Sequence, residues 1–479
     1  MQMKTATKSR AFHGRSREIG QIRSACDTPE ASLLRIDGMR GVGKSALVLK
    51  ALQDFDHLIV PVPALPDPSQ RMVLRRALSE PATGDAAEVV DEAPSWEELF
   101  TRAAAHARPG RPPFVLVLDD SHRLSESRAR FERPLLACLH RAREEHRPFH
   151  MILVGQGTAG DGSVLEDDES FADAETMTLA PLPLRAAKPM LPRGAPRDVL
   201  RAYGVLGGVP RVLQAVDRDV TLETNIRKMT LEPEAPFSDI PAQWLERDLQ
   251  TPSRYNAVLA RLALGECDWG ALHEAVPDLT SSGQLAPYVR RLEELGLIEV
   301  RRSLDAAPAS RARRYQISDP FLGFWYRFIR PLAYAPPSAR DRPEVVVRSI
   351  RRRLDEHLEA VFPLICRQHM GHDAMETLGA NARELGSLWT NEHEIPAAGI
   401  LTSGAAFYGA CFWRAPQRGE DPLGPLDKAA RETRYGFGRE HRLRILFTST
   451  PPPRWLERAV MRGEQAILLG PDQLAGTTS

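Results

Sequence analysis

The eight residues Gly38-Met39-Arg40-Gly41-Val42-Gly43-Lys44-Ser45 constrain this chain more than any other stretch. They read G-x-x-x-x-G-K-S. Before them runs a short apolar segment, Ser32 to Gly38 (SLLRIDG), and after them SALVLKALQDF, whose Ala46, Leu47, Leu49 and Leu52 suit a helix packed on a sheet. Glycines let a backbone curl until its N–H groups face a common centre, and the following helix N-terminus adds its dipole there. Such a concavity takes phosphate. Lys44 is placed to reach the β- and γ-phosphates of a nucleoside triphosphate, and the Ser45 hydroxyl to complete the shell of Mg2+. Gly38, Arg40, Gly41, Val42, Gly43 and Ala46 make up the rest of the expected nucleotide contacts.

A magnesium site of this kind also needs a carboxylate at the end of a neighbouring strand, and Asp119 follows the apolar run Phe114 to Leu118. Asp120 stands where a general base for the attacking water is expected, or else is a supporting acid with no base role. His150 to Gly155 (HMILVG) reads as a third buried strand. Long helical stretches intervene, which predicts an α/β fold with a parallel sheet and covering helices. The reading at this point is a P-loop ATPase that uses ATP and Mg2+, with Lys44 and Asp120 as catalytic groups.

At 479 residues the chain has room for about three domains. Its 63 Lys+Arg balance 63 Asp+Glu, so a nucleic-acid surface has to come from local clustering. No secretory signal and no apolar run near 18 residues is present, so no membrane contact is expected. Cys26, Cys138, Cys267, Cys366 and Cys411 are odd in number and widely spaced, which fits reduced thiols and a cytoplasmic protein. Cys366, His369 and His372 share a helical spacing but have no fourth partner at a metal-site distance, and read as coincidence.

The first domain is expected over 1–196, with Asp67 to Ser95 as a surface insertion or loop and the Pro-rich run 179–196 as its end. A small helical unit follows over 197–239. Over 240–335, Tyr255, Val258, Leu259 and Leu262, then Leu285, Val289, Leu292 and Leu295, recur at helical spacing around DWGALHEAV. The strands LIEVRR and RRYQI come next. Three helices and a hairpin predict a winged helix-turn-helix. Its wing carries Arg301, Arg302, Arg311, Arg313 and Arg314 against Asp305, a surface suited to double-stranded DNA. The helix Gln284 to Leu295 is less suited, because Glu293 and Glu294 follow Arg290 and Arg291. DNA contact and pure packing are equal alternatives. A Pro- and Arg-rich linker, Pro336 to Arg353, leads into a last α/β region within 336–479.

Phe12-His13-Gly14-Arg15-Ser16-Arg17-Glu18 resembles the F-x-G-R-x-x-E opening of the archaeal-type ATPases, a branch of the AAA+ and signal-transduction ATPases. Leu206-Gly207-Gly208-Val209-Pro210-Arg211 is similar to the G-G-x-P of that family's helical lid, and Ser318 to Pro331 to its aromatic segment after the winged helix. LVGQGT falls where the family's sensor strand ends in Gly-Ser-Ser, with Gln156 and Gly157 as departures. The resemblance implies that Arg15 lies near the nucleotide and Pro210 near the base.

Leu385 to Trp389, Glu394-Ile395-Pro396 and Gly409 to Trp413 resemble, in order, the landmarks of the PD-(D/E)xK restriction-endonuclease-like domain that closes such chains. Active members carry Asp, Glu and Lys where this chain has Pro396, Ala410 and Phe412, which implies a kept fold and a lost nuclease. Glu359, Glu392 and Glu394 are the acids left nearby. The expected function is a nucleotide-controlled switch acting on DNA, a protein partner or a homo-oligomer. The alternatives are an ATP-dependent DNA nuclease and an oligomeric signalling scaffold with little ATP turnover.

Overall fold

The computed structural model describes residues 12–79, 93–156, 175–240, 252–276, 278–307, 310, 312–336, 342–389, 394–433, 435–436, 438–439, 441–462 and 466–476. Arg311, Gly157 and Glu392 lie outside these. The chain divides into two compact units, one of residues 1–180 with 294–296 and one of 181–293 with 297–479. No described helix is long and apolar enough to cross a membrane.

The first unit is a five-stranded, all-parallel sheet in the order β2-β3-β4-β1-β5. Its strands are β1 (Ser32–Asp37), β2 (Asp56–Pro61), β3 (Phe114–Asp119), β4 (Phe149–Val154) and β5 (Glu175–Thr178). The apolar runs become central strands because both faces are covered. Leu33, Leu116, Leu118, Phe149, Met151 and Leu153 pack in one core with Leu99, Phe100, Leu135 and Leu139 of the helices α4 (Trp96–Ala104) and α5 (Arg128–Glu144). The alternate residues Leu34, Ile36, Val115, Val117, Ile152 and Val154 are equally buried. On the chain, α1 (Ser16–Cys26) and α2 (Lys44–Ala51) flank β1, and both bury apolar residues, Ile22, Leu47, Val48 and Ala51.

Two sequence expectations change here. The stretch from Asp67, read as a loop, begins with the helix α3 (Asp67–Ser79). Its periodicity is weak because one of its two fully buried positions is the polar Gln70 and Val73, Ala77 and Leu78 are only partly buried on the core, while Asp67 accepts from Arg71 Nε and Trp96 Nε1, each at 2.8 Å. The capping box of Ser95 and Glu98 then starts α4. The expected linker to Arg353 is also mostly helix, which runs Pro343–His372. Val346, Ile350, Leu354, Leu358 and Phe362 form its buried stripe, hidden in the sequence by the arginines between them.

The second unit opens with helices and goes on to Pro252–Leu262, Trp269–Glu274 and Ala286–Glu294, with the short β6 between the first two and the hairpin β7-β8 after the third, forming an antiparallel sheet in the order β6-β8-β7. Here β6 is Cys267–Asp268, β7 Ile298–Arg301 and β8 Arg314–Ile317, with Arg301 opposite Arg314. The last part is a mixed sheet, β13-β12-β11-β10-β9. In it β9 (Ala382–Trp389), β10 (Glu394–Leu401) and β11 (Ala406–Phe412) are antiparallel, while β12 (Arg442–Thr448) and β13 (Ala466–Leu469) extend β11 in parallel.

Candidate nucleotide site

Strand order places the site. Because β4 lies between β1 and β3, Asp119 is two strands from the glycine loop rather than on the adjoining strand, and register makes up the difference. Ile36 pairs with Val154, and Val154 with Asp119, so the ends of all three strands reach one level. Glycine 155 closes the gap between them. A Cβ there would stand 3.0 Å from Asp37 Oδ1 and 3.4 Å from Ser121 Oγ, so the missing side chain lets the β1 and β3 ends draw together. Asp37 and Gly155 were not among the expected site residues. Their signal, an acid and a glycine each closing an apolar run, was present but carries no motif.

In the loop itself Gly38, Gly41 and Gly43 have φ of 150°, 81° and 96°, values that an L side chain rarely adopts. A Cβ on Gly38 would also meet the Leu179 carbonyl oxygen at 2.5 Å. Gly43 is the N-cap of α2 and no side chain caps that end. The first N–H groups of α2 are thus open to an acceptor. Ser45 and Ala46 are exposed, Arg40 is half-buried and Val42 is buried.

Lys44 folds over the loop, donating to Gly38 O at 2.7 Å and Met39 O at 3.1 Å. Burial lowers its pKa to about 8, although Asp120, Asp119 and Asp37 all pull it upward. Asp119 accepts from the backbone N–H of Asp120 at 3.0 Å. Asp120 adopts φ of 60°, the kind of strain that persists where neighbouring structure enforces it. Its Oδ2 lies 3.0 Å from Arg123 Nη1, and that guanidinium also donates to Val62 O at 2.8 Å. One Asp120 oxygen is therefore committed to Arg123, and only the other is left to take a proton.

Arg15, at φ of 69°, begins α1 and pairs with Glu18 at 2.9 Å. It also donates to Ala180 O, next to the Leu179 carbonyl that abuts Gly38. The structure thus gathers the loop, Asp119, Asp120 and Arg15 in one unit. Pro210 belongs to the other, where it opens the short helix Pro210–Leu213. There Gly208 N donates to the fully buried Asp319 at 3.0 Å, and a Cβ on Gly208 would overlap the Leu182 carbonyl.

The Cys366, His369 and His372 triplet does not converge. Cys366 contacts Cys411, His369 bonds to Thr377 Oγ1 at 3.1 Å, and His372 lines a cavity beside β9.

A parallel sheet, a glycine loop opening a helix, and a buried lysine facing strand-end carboxylates define a P-loop nucleoside-triphosphatase domain. Residues 11–154 match the AAA ATPase domain family, and the chain carries an AAA ATPase domain. Residues 325–421 match a family described as archaeal and bacterial proteins of unknown function. An uncharacterized protein of Methanocaldococcus jannaschii is 22% identical over 396 residues, covering 80% of this chain and 83% of that one. Among solved structures, the Walker-type ATPase of Pyrococcus abyssi is similar with a TM-score of 0.44 and 16% identity, over 66% of this chain and 96% of that chain. The ORC2 protein of Aeropyrum pernix, in ADPNP and ADP complexes, gives 0.38 and 15% over 71% of this chain and 94% of its own.

Proposed function

We propose that this chain is an ATP-controlled switch whose AAA ATPase domain binds ATP with Mg2+, hydrolyses it slowly and passes the nucleotide state to the rest of the chain. The observation that carries the reading is Lys44, held over an uncapped helix N-terminus and facing the strand-end carboxylates of Asp119 and Asp37. These residues fit a magnesium nucleotide. Ser45 and Asp119 would hold the metal, which supplies charge neutralisation at the phosphates. Lys44 would take the β/γ-phosphates and Asp120 would orient the attacking water, with Arg15 supporting the loop. The test is calorimetry of ATP with and without Mg2+. Lys44→Ala should weaken binding about tenfold to a hundredfold. Asp119→Ala should keep part of the affinity and lose its magnesium dependence. Equal affinity in wild type and Lys44→Ala would sink the proposal.

For the second unit we keep the division into a lid (197–239), a winged helix (240–335) and a nuclease-like domain (336–479). Three helices, with β6 after the first and the hairpin β7-β8 after the third, support the winged helix. Two of its arginines turn inward. Arg301 is buried on Glu266 and Ser387, and Arg314 pairs with Glu394 at 2.6 Å and covers the Trp389 ring. Arg302 and Arg313 stay exposed. This division of labour favours packing over double-stranded DNA. A titration with duplex DNA at two salt concentrations decides it, since DNA contact through Arg302 and Arg313 would give a steep salt slope that their Ala variants flatten.

The mixed sheet behind a long helix supports the nuclease-like reading. Pro396 and Ala410 flank the paired Ala397 and Gly409, and Ala410 and Phe412 pack on an apolar core. Of the acids nearby, Glu359 pairs with Arg414 at 3.1 Å and Glu394 with Arg314. Purified protein should therefore leave plasmid DNA intact with Mg2+ or Mn2+, with or without ATP. Cleavage that disappears in Glu359→Ala would restore the nuclease alternative.

A further inference from the structure

A cavity of about 400 Å³ opens in the second unit between β7, the helix Pro343–His372 and β9. Its lining combines Arg301, Arg302 and Arg367 with the apolar Val300, Leu304, Leu364 and Leu385. Glu299 is the carboxylate on the wall.

The three arginines are not equally satisfied. Arg301 pairs with Glu266, which it shares with Arg314. Arg367 is buried yet hydrogen-bonds only to neutral oxygens, Pro396 O at 2.8 Å and Gln316 Oε1 at 3.0 Å. Among the described residues no carboxylate lies within ion-pair distance of Arg367 or of the exposed Arg302. Glu299 is engaged by the Gln316 amide. Glu299 and Glu266 act on the Arg367 guanidinium through space, but neither touches it, so its burial is repaid only in part. An anion entering the cavity would supply a counter-charge in contact.

Glycine keeps the cavity open. Gly371 lies near the end of a 30-residue helix, where glycine is unfavourable relative to alanine. A Cβ there would stand 3.2 Å from Leu385 Cδ2, and one on Gly386 would stand 2.9 Å from Leu304 Cδ2. Both absent side chains would otherwise occupy the lining.

We infer that this cavity is a binding site for a small phosphomonoester, with its phosphate on Arg367 and Arg302 and its organic body against Leu304, Leu364 and Leu385. Guanidinium forks match phosphate geometry, and the excess of arginine over carboxylate favours a dianion over a monoanion. The volume falls in the range of small-ligand sites. The inference does not depend on the ATP reading, since none of these residues belongs to the glycine loop.

The experiment is calorimetric titration of the full chain with phenyl phosphate and, separately, with benzoate. Phenyl phosphate should bind saturably, one per chain, and more tightly than benzoate. Arg302→Ala should weaken it about tenfold or more, the loss of a hydrogen bond to a charged group. Gly371→Leu, which fills the mouth from a helical position, should abolish it, with folding checked by circular dichroism. Lys44→Ala should leave it unchanged. Absence of saturable binding, equal or tighter binding of benzoate, or affinity untouched by both Arg302→Ala and Gly371→Leu would overturn the assignment. Loss in Lys44→Ala would move the phosphate to the glycine loop and overturn it as well.

Discussion

The Lys44 ammonium sits between opposing demands. Burial lowers its pKa to about 8, while Asp120, Asp119 and Asp37 act to raise it. A bound triphosphate adds negative charge beside it and must raise the pKa again. The sign follows: between about pH 8 and the pKa in the complex, the free protein has lost a proton that the complex keeps, so binding takes one up. Calorimetry near pH 8.5 in two buffers of different ionisation enthalpy should report uptake of roughly half a proton or more, and Lys44→Met should report none. Apparent affinity should fall above pH 8, by up to about tenfold per unit. An affinity flat from pH 7.5 to 9.5 would contradict this account. Asp120 raises a separate question at the same scale, because its pairing with Arg123 ties a nominal base to a guanidinium. If Asp120 accepts the proton of the attacking water, Asp120→Asn should abolish turnover while keeping ATP affinity within about threefold. Turnover unchanged by the substitution would leave Asp120 as a supporting acid.

At the scale of elements, close backbone approaches do much of the positioning, and glycines permit them. Gly38→Ala puts a methyl group 2.5 Å from the Leu179 carbonyl oxygen at φ of 150°. It should cost about 1–3 kcal/mol of stability in urea unfolding and weaken nucleotide binding, since the same loop serves both. Asp319 acts likewise in the second unit, accepting from Gly208 N and from Phe321 N, both at 3.0 Å. Asp319→Ala leaves the buried N–H groups of Gly208 and Phe321 without that partner, each worth about 1–3 kcal/mol, so the Gly207-Gly208 turn and the helix Pro320–Phe324 should loosen together. Hydrogen exchange slowed equally in variant and wild type at both places would refute the link. These joints explain what could be read from the sequence. Elements with a local signature were legible: the glycine loop before α2, the apolar runs of β1, β3 and β4, and Tyr255 to Leu262 with its helical spacing. The helix Asp67–Ser79 escaped because its order depends on Trp96, a partner distant in the chain. The start of the helix Pro343–His372 escaped because exposed arginines interrupt the apolar stripe. Arg314 read as a phosphate-facing wing residue, and only tertiary structure could place it on Glu394 and Trp389.

For the whole molecule, strand order and burial were the features least open to sequence. Nothing local announces that β4 lies between β1 and β3, and nothing marks three histidines as core residues. His150 belongs to the first unit, and His357 and His369 to the second. Each is buried, and burial lowers each pKa from 6.5 to about 4. Their neutral forms are held by Ser32 Oγ at 2.8 Å, Gly204 O at 3.1 Å and Thr377 Oγ1 at 3.1 Å. A pKa depressed on folding means that the unfolded chain binds protons first as pH falls. The stability contributed by each imidazole is therefore complete above pH 6.5 and lost on descent towards about 4, on the order of 3 kcal/mol apiece. Asp319 opposes this. Burial raises its carboxyl to about 6 against the hydrogen bonds from Gly208, Phe321 and Leu322. The folded state thus binds its proton first, which adds stability as pH falls from about 6 to 3.8. Burial raises the Asp373 carboxyl as well, so these two acids offset part of the proton uptake of the three imidazoles and stability falls on balance as pH drops below 6. Urea unfolding from pH 7 to 4.5 should show stability steady near neutrality, then falling below pH 6. In Asp319→Asn the fall should be steeper, because its opposing proton is gone. A profile flat to pH 4.5, or one that Asp319→Asn makes shallower, would show that these imidazoles are solvated or that Asp319 is ionised throughout.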